Sequence, residues 1–186
     1  MLVIGCGNSQ LSEEMREDGF GNVTSVDFSH VVIEQMRSKY PNAEYEVMDV
    51  TKKNSFSDNS FDVIVCKGTM DAILCGTGSL YNIYNTMVEC SRVLGDHGAL
   101  VIVTYGAPAD RMVYIEDEAF GWSIDVHTVS KPRIGLEVDP KISKDHYVYI
   151  CRKGSNPPLE PDGILALTRK AELPNTSEDT GGAEVP

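Results

Sequence analysis

Three places in the sequence pair residue types with spacings that suit one kind of chemistry. Gly5, Cys6 and Gly7 close a short apolar run, Asp27 closes a second run twenty residues after Gly7, and Asp49 closes a third. Glycines at the end of a buried strand let the backbone turn sharply and come close to a ligand. A carboxylate ending the next strand can accept two hydrogen bonds from ribose hydroxyls. One ending the third can accept from the amino group of adenine, because an ionised carboxyl only accepts. Phe28, next to Asp27, can lie against the base. Each residue also has a plainer reading: a solvated loop acid for Asp27, core packing for Phe28, a turn or helix cap for Asp49. Three strand ends offering Gly, Asp and Asp in this order are more specific than any one of them, and they describe a nucleoside site. The third glycine of the dinucleotide fingerprint is replaced by Gln10, which disfavours a pyrophosphate and hence a nicotinamide oxidoreductase.

A fourth apolar run leads into Cys66-Lys67-Gly68-Thr69-Met70-Asp71-Ala72. This is the loop where a second reactant should meet the ligand. Backbone groups of Lys67 can hold the ligand's far end, or Lys67 is a surface lysine; Asp71 equally reads as a helix cap.

The elements that must position these residues follow from apolar periodicity. Strands are expected at 2–6, 22–27, 44–48, 61–66 and 99–104. Helices are expected at 9–18, with Leu11 and Met15 on one face; at 29–40, capped by Ser29, with Val32, Ile33 and Met36 inward and Pro41 as the stop; and at 80–94, with Ile83, Met87, Val93 and Leu94 at helical spacing. Strands alternating with helices imply parallel pairing through right-handed crossovers, with the ligand outside the carboxyl ends of the strands. Residues 122–129 and 146–152, joined by a turn-rich stretch with Pro132, Gly135 and Pro140, read as a terminal antiparallel pair. The expected fold is α/β, a doubly wound, Rossmann-like seven-stranded sheet ending in an antiparallel β-hairpin. From Ser155 the composition shifts, with Pro157, Pro158, Pro161 and Pro174 and one short helical pattern at 164–173. The expectation is one domain over 1–153 and a largely disordered acidic tail over 154–186.

Composition narrows the function classes. The chain has 186 residues and is 41% hydrophobic, as an ordinary globular domain is. No apolar run approaches the roughly 20 residues of a membrane span, and no secretory signal is present, so a cytoplasmic protein is expected. The five cysteines are odd in number and lack CxxC spacing, which argues against a disulfide framework and a metal site and fits a reducing compartment. The net charge is −12, of which −4 lies from Ser155 onward. An acidic domain repels phosphate backbones, so no nucleic-acid partner is expected; the surface either attracts a basic protein or serves solubility.

Gly5-Cys6-Gly7-Asn8-Ser9, Val26-Asp27-Phe28-Ser29, Met48-Asp49-Val50 and Lys67-Gly68-Thr69-Met70-Asp71-Ala72 together resemble the seven-β-strand, class I S-adenosylmethionine-dependent methyltransferases that act on lysines of translation elongation factor 1-alpha, including the endothelin-converting-enzyme-fusion-like and methyltransferase-like members. Phe120-Gly121-Trp122-Ser123 resembles the family's aromatic-Gly-Trp-Ser stretch, and the likeness covers about residues 2–153. It implies S-adenosyl-L-methionine as cofactor, bound at Gly5, Gly7, Asp27, Phe28, Asp49, Val50 and Lys67, and a protein lysine as acceptor, elongation factor 1-alpha among the candidates. Two features depart from the pattern. Members usually carry Asp or Glu directly before the KGT string, where this chain has Cys66. They also have an upstream helical segment covering the cofactor, and this segment is expected to be missing here. Tyr105 and Trp122 either line the acceptor channel or are core aromatics; no side chain is assigned as general base. A small-molecule methyltransferase and a non-catalytic cofactor-binding or scaffold protein are the alternatives.

Overall fold

The computed structural model describes residues 1–130 and 145–154. The turn-rich connection, the helical pattern at 164–173 and the acidic tail lie outside the described residues.

Seven strands form one sheet: β1 (Leu2–Ile4), β2 (Thr24–Asp27), β3 (Glu44–Val47), β4 (Phe61–Lys67), β5 (Leu94–Thr104), β6 (Trp122–Ser130) and β7 (Asp145–Lys153). Their order is β3-β2-β1-β4-β5-β7-β6. The first five pair in parallel, and β7 inserts antiparallel between β5 and β6. This is the doubly wound sheet with a terminal antiparallel pair that the sequence implies. The strand order reverses between β1 and β4, so the switch point lies at the carboxyl ends of those two strands, with the end of β2 beside it.

Helices cover both faces, which is why β1, residues 63–66 of β4 and residues 99–103 of β5 read as unbroken apolar runs, while the outer strands β3 and β6 alternate. On one face, α1 (Leu11–Glu17) and α2 (His30–Lys39) enclose a cluster of Val3, Val23, Ile33, Met36, Tyr45 and Val65. On the other, α3 (Thr69–Leu74), α4 (Ser79–Val93) and α5 (Pro108–Ile115) enclose the larger cluster. Successive residues of β4 divide between them: Ile64 and Cys66 face the second cluster, Val65 the first. Along α4, Ile83, Met87, Cys90 and Val93 are all buried, one stripe at helical spacing.

Local chemistry sets the ends. Ser29 caps α2 by accepting from the Val32 N–H at 3.4 Å, and Pro41 lies two residues past the helix's last residue. The hydroxyl of Ser25 on β2 donates to that of Ser12 on α1 at 2.8 Å, a buried polar tie between layers. Strand β5 begins at Leu94, directly after α4, and not at residue 99. The pairing shifts from Phe61↔Leu94 to Val63↔Ala99, and His97 sits at φ +68° within this irregularity. The sequence Gly95-Asp96-His97-Gly98 reads as a turn because it is a bulge. Three short elements were not anticipated by periodicity: α3, α5, and a single 3-10 turn at Glu118–Phe120.

Candidate functional site

The expected cofactor residues converge on the carboxyl ends of β1, β2, β3 and β4. Gly5 and Gly7 both hold positive φ, +62° and +53°. The need for glycine differs between them. A Cβ on Gly5 would lie 2.2 Å from Thr69 Oγ1 and 2.6 Å from its Cγ2. Thr69 is fixed there because its hydroxyl donates to the Ile4 carbonyl at 2.8 Å. The GCG turn and the KGT string are thus packed against each other. A Cβ on Gly7 would meet nothing within 4 Å, so that position faces open space at the strand ends.

Asp27 is buried, and its two oxygens are each fastened by backbone. The Gly7 N–H donates to Oδ2 and the Ser29 N–H to Oδ1, both at 2.9 Å. One carboxylate therefore clamps the glycine turn to the start of α2. Each oxygen keeps acceptor capacity, since an ionised carboxyl offers about four lone-pair sites. The reading of Asp27 as a solvated loop acid does not hold. Neither does core packing for Phe28, whose ring is 79% exposed beside the turn.

Asp49 realises the turn-cap reading. Its Oδ1 accepts from the Thr51 N–H at 3.1 Å and the Thr51 hydroxyl at 2.6 Å, and Oδ2 pairs with Lys52 at 2.7 Å. The Lys52 and Thr51 hydrogen bonds hold its carboxyl below the usual range, so it is an acceptor near neutrality. The Met48 N–H donates to the Asp27 carbonyl at 2.9 Å, which joins this loop to the β2 end; Val50 is half-buried. Lys67 is exposed at the end of β4, and the Gly68 N–H at φ +72° donates to the Val103 carbonyl at 2.9 Å.

Cys66 points into the core and is fully buried; burial pushes its thiol up to about 12. Cys6 is likewise a neutral thiol, raised to about 11 by burial and the nearby Asp27 charge. Asp71 is not a helix cap. Gly68 occupies that position, and Asp71 forms a buried ion pair with Arg111, Oδ1 to Nη2 at 2.9 Å. Sequence reasoning missed Arg111. It lies four residues before Ile115 on the buried face of α5, and a charge on an apolar stripe was the available signal.

Tyr105 follows β5 at the carboxyl end and is half exposed. Trp122 does not share that end. It pairs with Lys153 in the ladder that runs antiparallel to β5, level with the amino-terminal part of the parallel strands. Its indole N–H donates to the Ile115 carbonyl at 2.9 Å, and its ring packs 5.0 Å from that of Phe120. The core reading of Trp122 is therefore the correct one.

The residues present suit a nucleoside ligand: an open approach at Gly7, a clamped carboxylate with spare acceptor sites, a second ionised carboxylate and an exposed aromatic ring. Among the described residues no group of three or more His, Cys, Asp or Glu could hold a metal ion, and no helix is long and apolar enough to cross a membrane.

Strand order, crossover topology and the glycine turn with its acidic neighbours define a class I, Rossmann-like methyltransferase fold. Residues 2–102 match the family model described as a methyltransferase domain, and the chain belongs to that family. It is similar to EEF1A lysine methyltransferase 4 of Bos taurus, 39% identical over 135 residues that cover 67% of this chain and 52% of that protein. It is also similar to the eEF1A lysine and N-terminal methyltransferase of Homo sapiens, 32% identical over 161 residues, 82% of this chain and 23% of that one. The chain thus spans about half the length of the first relative and less of the second. Among solved structures, a SAM-dependent methyltransferase from Methanosarcina mazei superposes with a TM-score of 0.61 at 20% identity, covering 83% of this chain and 92% of the other. An S-adenosylmethionine-dependent methyltransferase from Clostridium acetobutylicum gives 0.62 at 13%, with 83% of each chain covered. At these identities the structural matches speak to the fold.

Proposed function

We propose that the chain binds S-adenosyl-L-methionine at Gly5, Gly7, Asp27, Phe28, Asp49, Val50 and Lys67 and transfers its methyl group to a lysine of a protein, with elongation factor 1-alpha as the first candidate acceptor. The observation that carries the reading is Asp27, a buried carboxylate tied by backbone to the glycine turn and to α2, with acceptor capacity left for ribose hydroxyls. Asp49 suits the adenine amino group and the Phe28 ring the base face. Backbone at Lys67 suits the amino-acid end. The names of the relatives support a protein lysine as acceptor. The proposed catalytic domain is 1–153, with 154–186 as a tail, and the proposed setting is the cytoplasm.

When bound, the cofactor supplies an electrophilic methyl on a sulfonium. The protein's part is alignment and exclusion of water. A lysine ammonium, with an ordinary pKa of about 10.4, must release its proton before it can attack. Partial burial among Tyr105 and the loop at Lys67 to Asp71 favours the neutral amine.

The test is calorimetric titration with S-adenosylmethionine, followed by incubation with recombinant elongation factor 1-alpha and mass spectrometry of its lysines. Saturable binding that Asp27→Ala abolishes, together with methyl transfer to a lysine, is the expected result. Binding with transfer to a small molecule alone, or to nothing, would overturn the lysine reading; absence of binding would overturn the site.

A further inference from the structure

Thr104, Tyr105 and Gly106 at the end of β5 are held by a closed set of polar contacts drawn from four elements. Asp71 of α3 receives the Thr104 hydroxyl and the Arg111 Nη2 on Oδ1, and the Tyr105 N–H on Oδ2 at 3.4 Å. The Thr104 oxygen accepts in turn from the Gly106 N–H at 3.0 Å and from Arg111 Nε at 3.2 Å. The Tyr149 hydroxyl of β7 donates to the Gly106 carbonyl at 2.9 Å. A Cβ on Gly106 would lie 2.2 Å from the guanidinium carbon, so the glycine is what lets Arg111 rest on the backbone.

Asp71 and Arg111 are each 8% exposed. A buried ion pair is a poor route to stability, because its desolvation cost rivals its attraction, and an apolar replacement of like volume is often at least as stable. What such a pair can supply is a fixed geometry. The geometry here concerns one exposed side chain. The Arg111 guanidinium lies 5.3 Å from the centroid of the Tyr105 ring, a cation–π contact that orients a ring left 51% exposed. Tyr105 lies two residues past Val103, which accepts the Gly68 N–H, and its own N–H donates to Asp71, so the residue stands beside the segment that the acceptor must reach.

We propose that Tyr105 forms the wall of the acceptor-lysine channel and that Asp71 and Arg111 are positioning residues acting through it. The proposal rests on the lysine-methyltransferase reading above. One face of the ring is taken by the guanidinium, and the other is left for the aliphatic stem and amine of the incoming side chain. Asp71 is charge-matched by Arg111, so the pair adds no net charge that would hold the amine protonated.

The test is a double-mutant cycle on the full chain. Arg111→Lys keeps the charge but loses the planar fork and the stacked face. Tyr105→Ala removes the wall, and Tyr105→Phe keeps the ring. For each variant, S-adenosylmethionine affinity, melting temperature, and kcat and KM for the protein acceptor are measured. A 3-fluorotyrosine at position 105 gives a 19F signal that reports ring order without turnover. Expected results are unchanged cofactor affinity throughout, near-normal turnover for Tyr105→Phe, and a fall in kcat/KM of about tenfold or more for Tyr105→Ala and for Arg111→Lys, the latter with a broadened 19F line; tenfold corresponds to about 1.4 kcal/mol. In the Tyr105→Ala background, Arg111→Lys should cost little further activity. Equal losses in both backgrounds, tracking melting temperature alone, would overturn the positioning role, as would a sharp, unchanged 19F line in Arg111→Lys. Failure of the unaltered chain to bind the cofactor would instead bring down the underlying reading, and this proposal with it.

Discussion

Asp27→Asn isolates what the clamped carboxylate does. In the folded chain Oδ2 accepts from the Gly7 N–H and Oδ1 from the Ser29 N–H, each at 2.9 Å. An asparagine has one acceptor oxygen, and its NH2 group can only donate. Whichever way the amide is turned, one backbone N–H then faces an N–H. Leaving a buried donor unsatisfied costs about 1–3 kcal/mol. For a chain of this size each kcal/mol lowers the melting temperature by about 2–4 °C, so a fall of about 2–12 °C is expected. Cofactor affinity should fall on separate grounds, because the ribose loses a charged acceptor worth about 1.5–3 kcal/mol, or about 10- to 150-fold in Kd. Differential scanning fluorimetry and titration calorimetry with S-adenosylmethionine read the two effects independently. A variant that melts lower yet binds as tightly as the parent would show that Asp27 only shapes the turn. One that melts and binds like the parent would refute both parts.

Three further outcomes follow from the same contacts. Gly5→Ala should destabilise the fold by about 2–5 kcal/mol through positive φ and overlap with Thr69, whereas Gly7→Ala, with nothing within 4 Å, should cost only the about 1–2 kcal/mol of its backbone conformation; urea unfolding compares them. Burial would raise the Glu89 carboxyl, but hydrogen bonds from Arg92 at 2.9 and 2.8 Å outweigh it and leave the pKa lowered. That contribution is present above the ordinary glutamate value of 4.5 and is lost as pH falls through the lower folded value, so Glu89→Gln should flatten the acid side of the stability–pH curve below about 4.5. Under native conditions a maleimide should label Cys75, the exposed thiol, while Cys6, Cys66, Cys90 and Cys151 react only on unfolding, as mass spectrometry of the labelled peptides would show.

Much of the frame was legible because burial on both sheet faces leaves continuous apolar runs in β1, β4 and β5, the shorter β2 and β3 are rich in β-branched and aromatic residues, and Gly and Asp at strand ends have few roles. The positions of β1 to β4 and the clustering of Gly5, Gly7, Asp27 and Asp49 at one end of the sheet follow from that pattern. What could not be read depends on distances in space. Asp71 and Arg111 are 40 residues apart, and nothing in spacing says that they meet. Trp122 lies far from the expected channel because β6, antiparallel to β7, runs in the same direction as β5, so its first residue sits at the amino end of the parallel strands, opposite the carboxyl ends that carry the site. The start of β5 was hidden by a bulge that mimics a turn. Helix α5 has only 8 residues, too few for periodicity to separate it from a loop.

The position before Lys67 shows how strand alternation decides what a motif residue can do. Lys67 is exposed at the strand end, so Cys66 must point the other way, and it does, into the larger cluster with no exposure. A carboxylate there would sit near Asp71, whose charge already raises the Cys66 thiol, in a space where the cation is committed: Arg111 is matched by Asp71 through Nη2 and by Thr104 through Nε. A second acid in that neighbourhood would have to stay protonated or break the pair, because an unmatched buried charge is among the costliest features a core can carry. A neutral thiol fits the same space at no such cost. In this chain the buried carboxylate of the loop is therefore Asp71, and its effect at the surface passes through the ring of Tyr105.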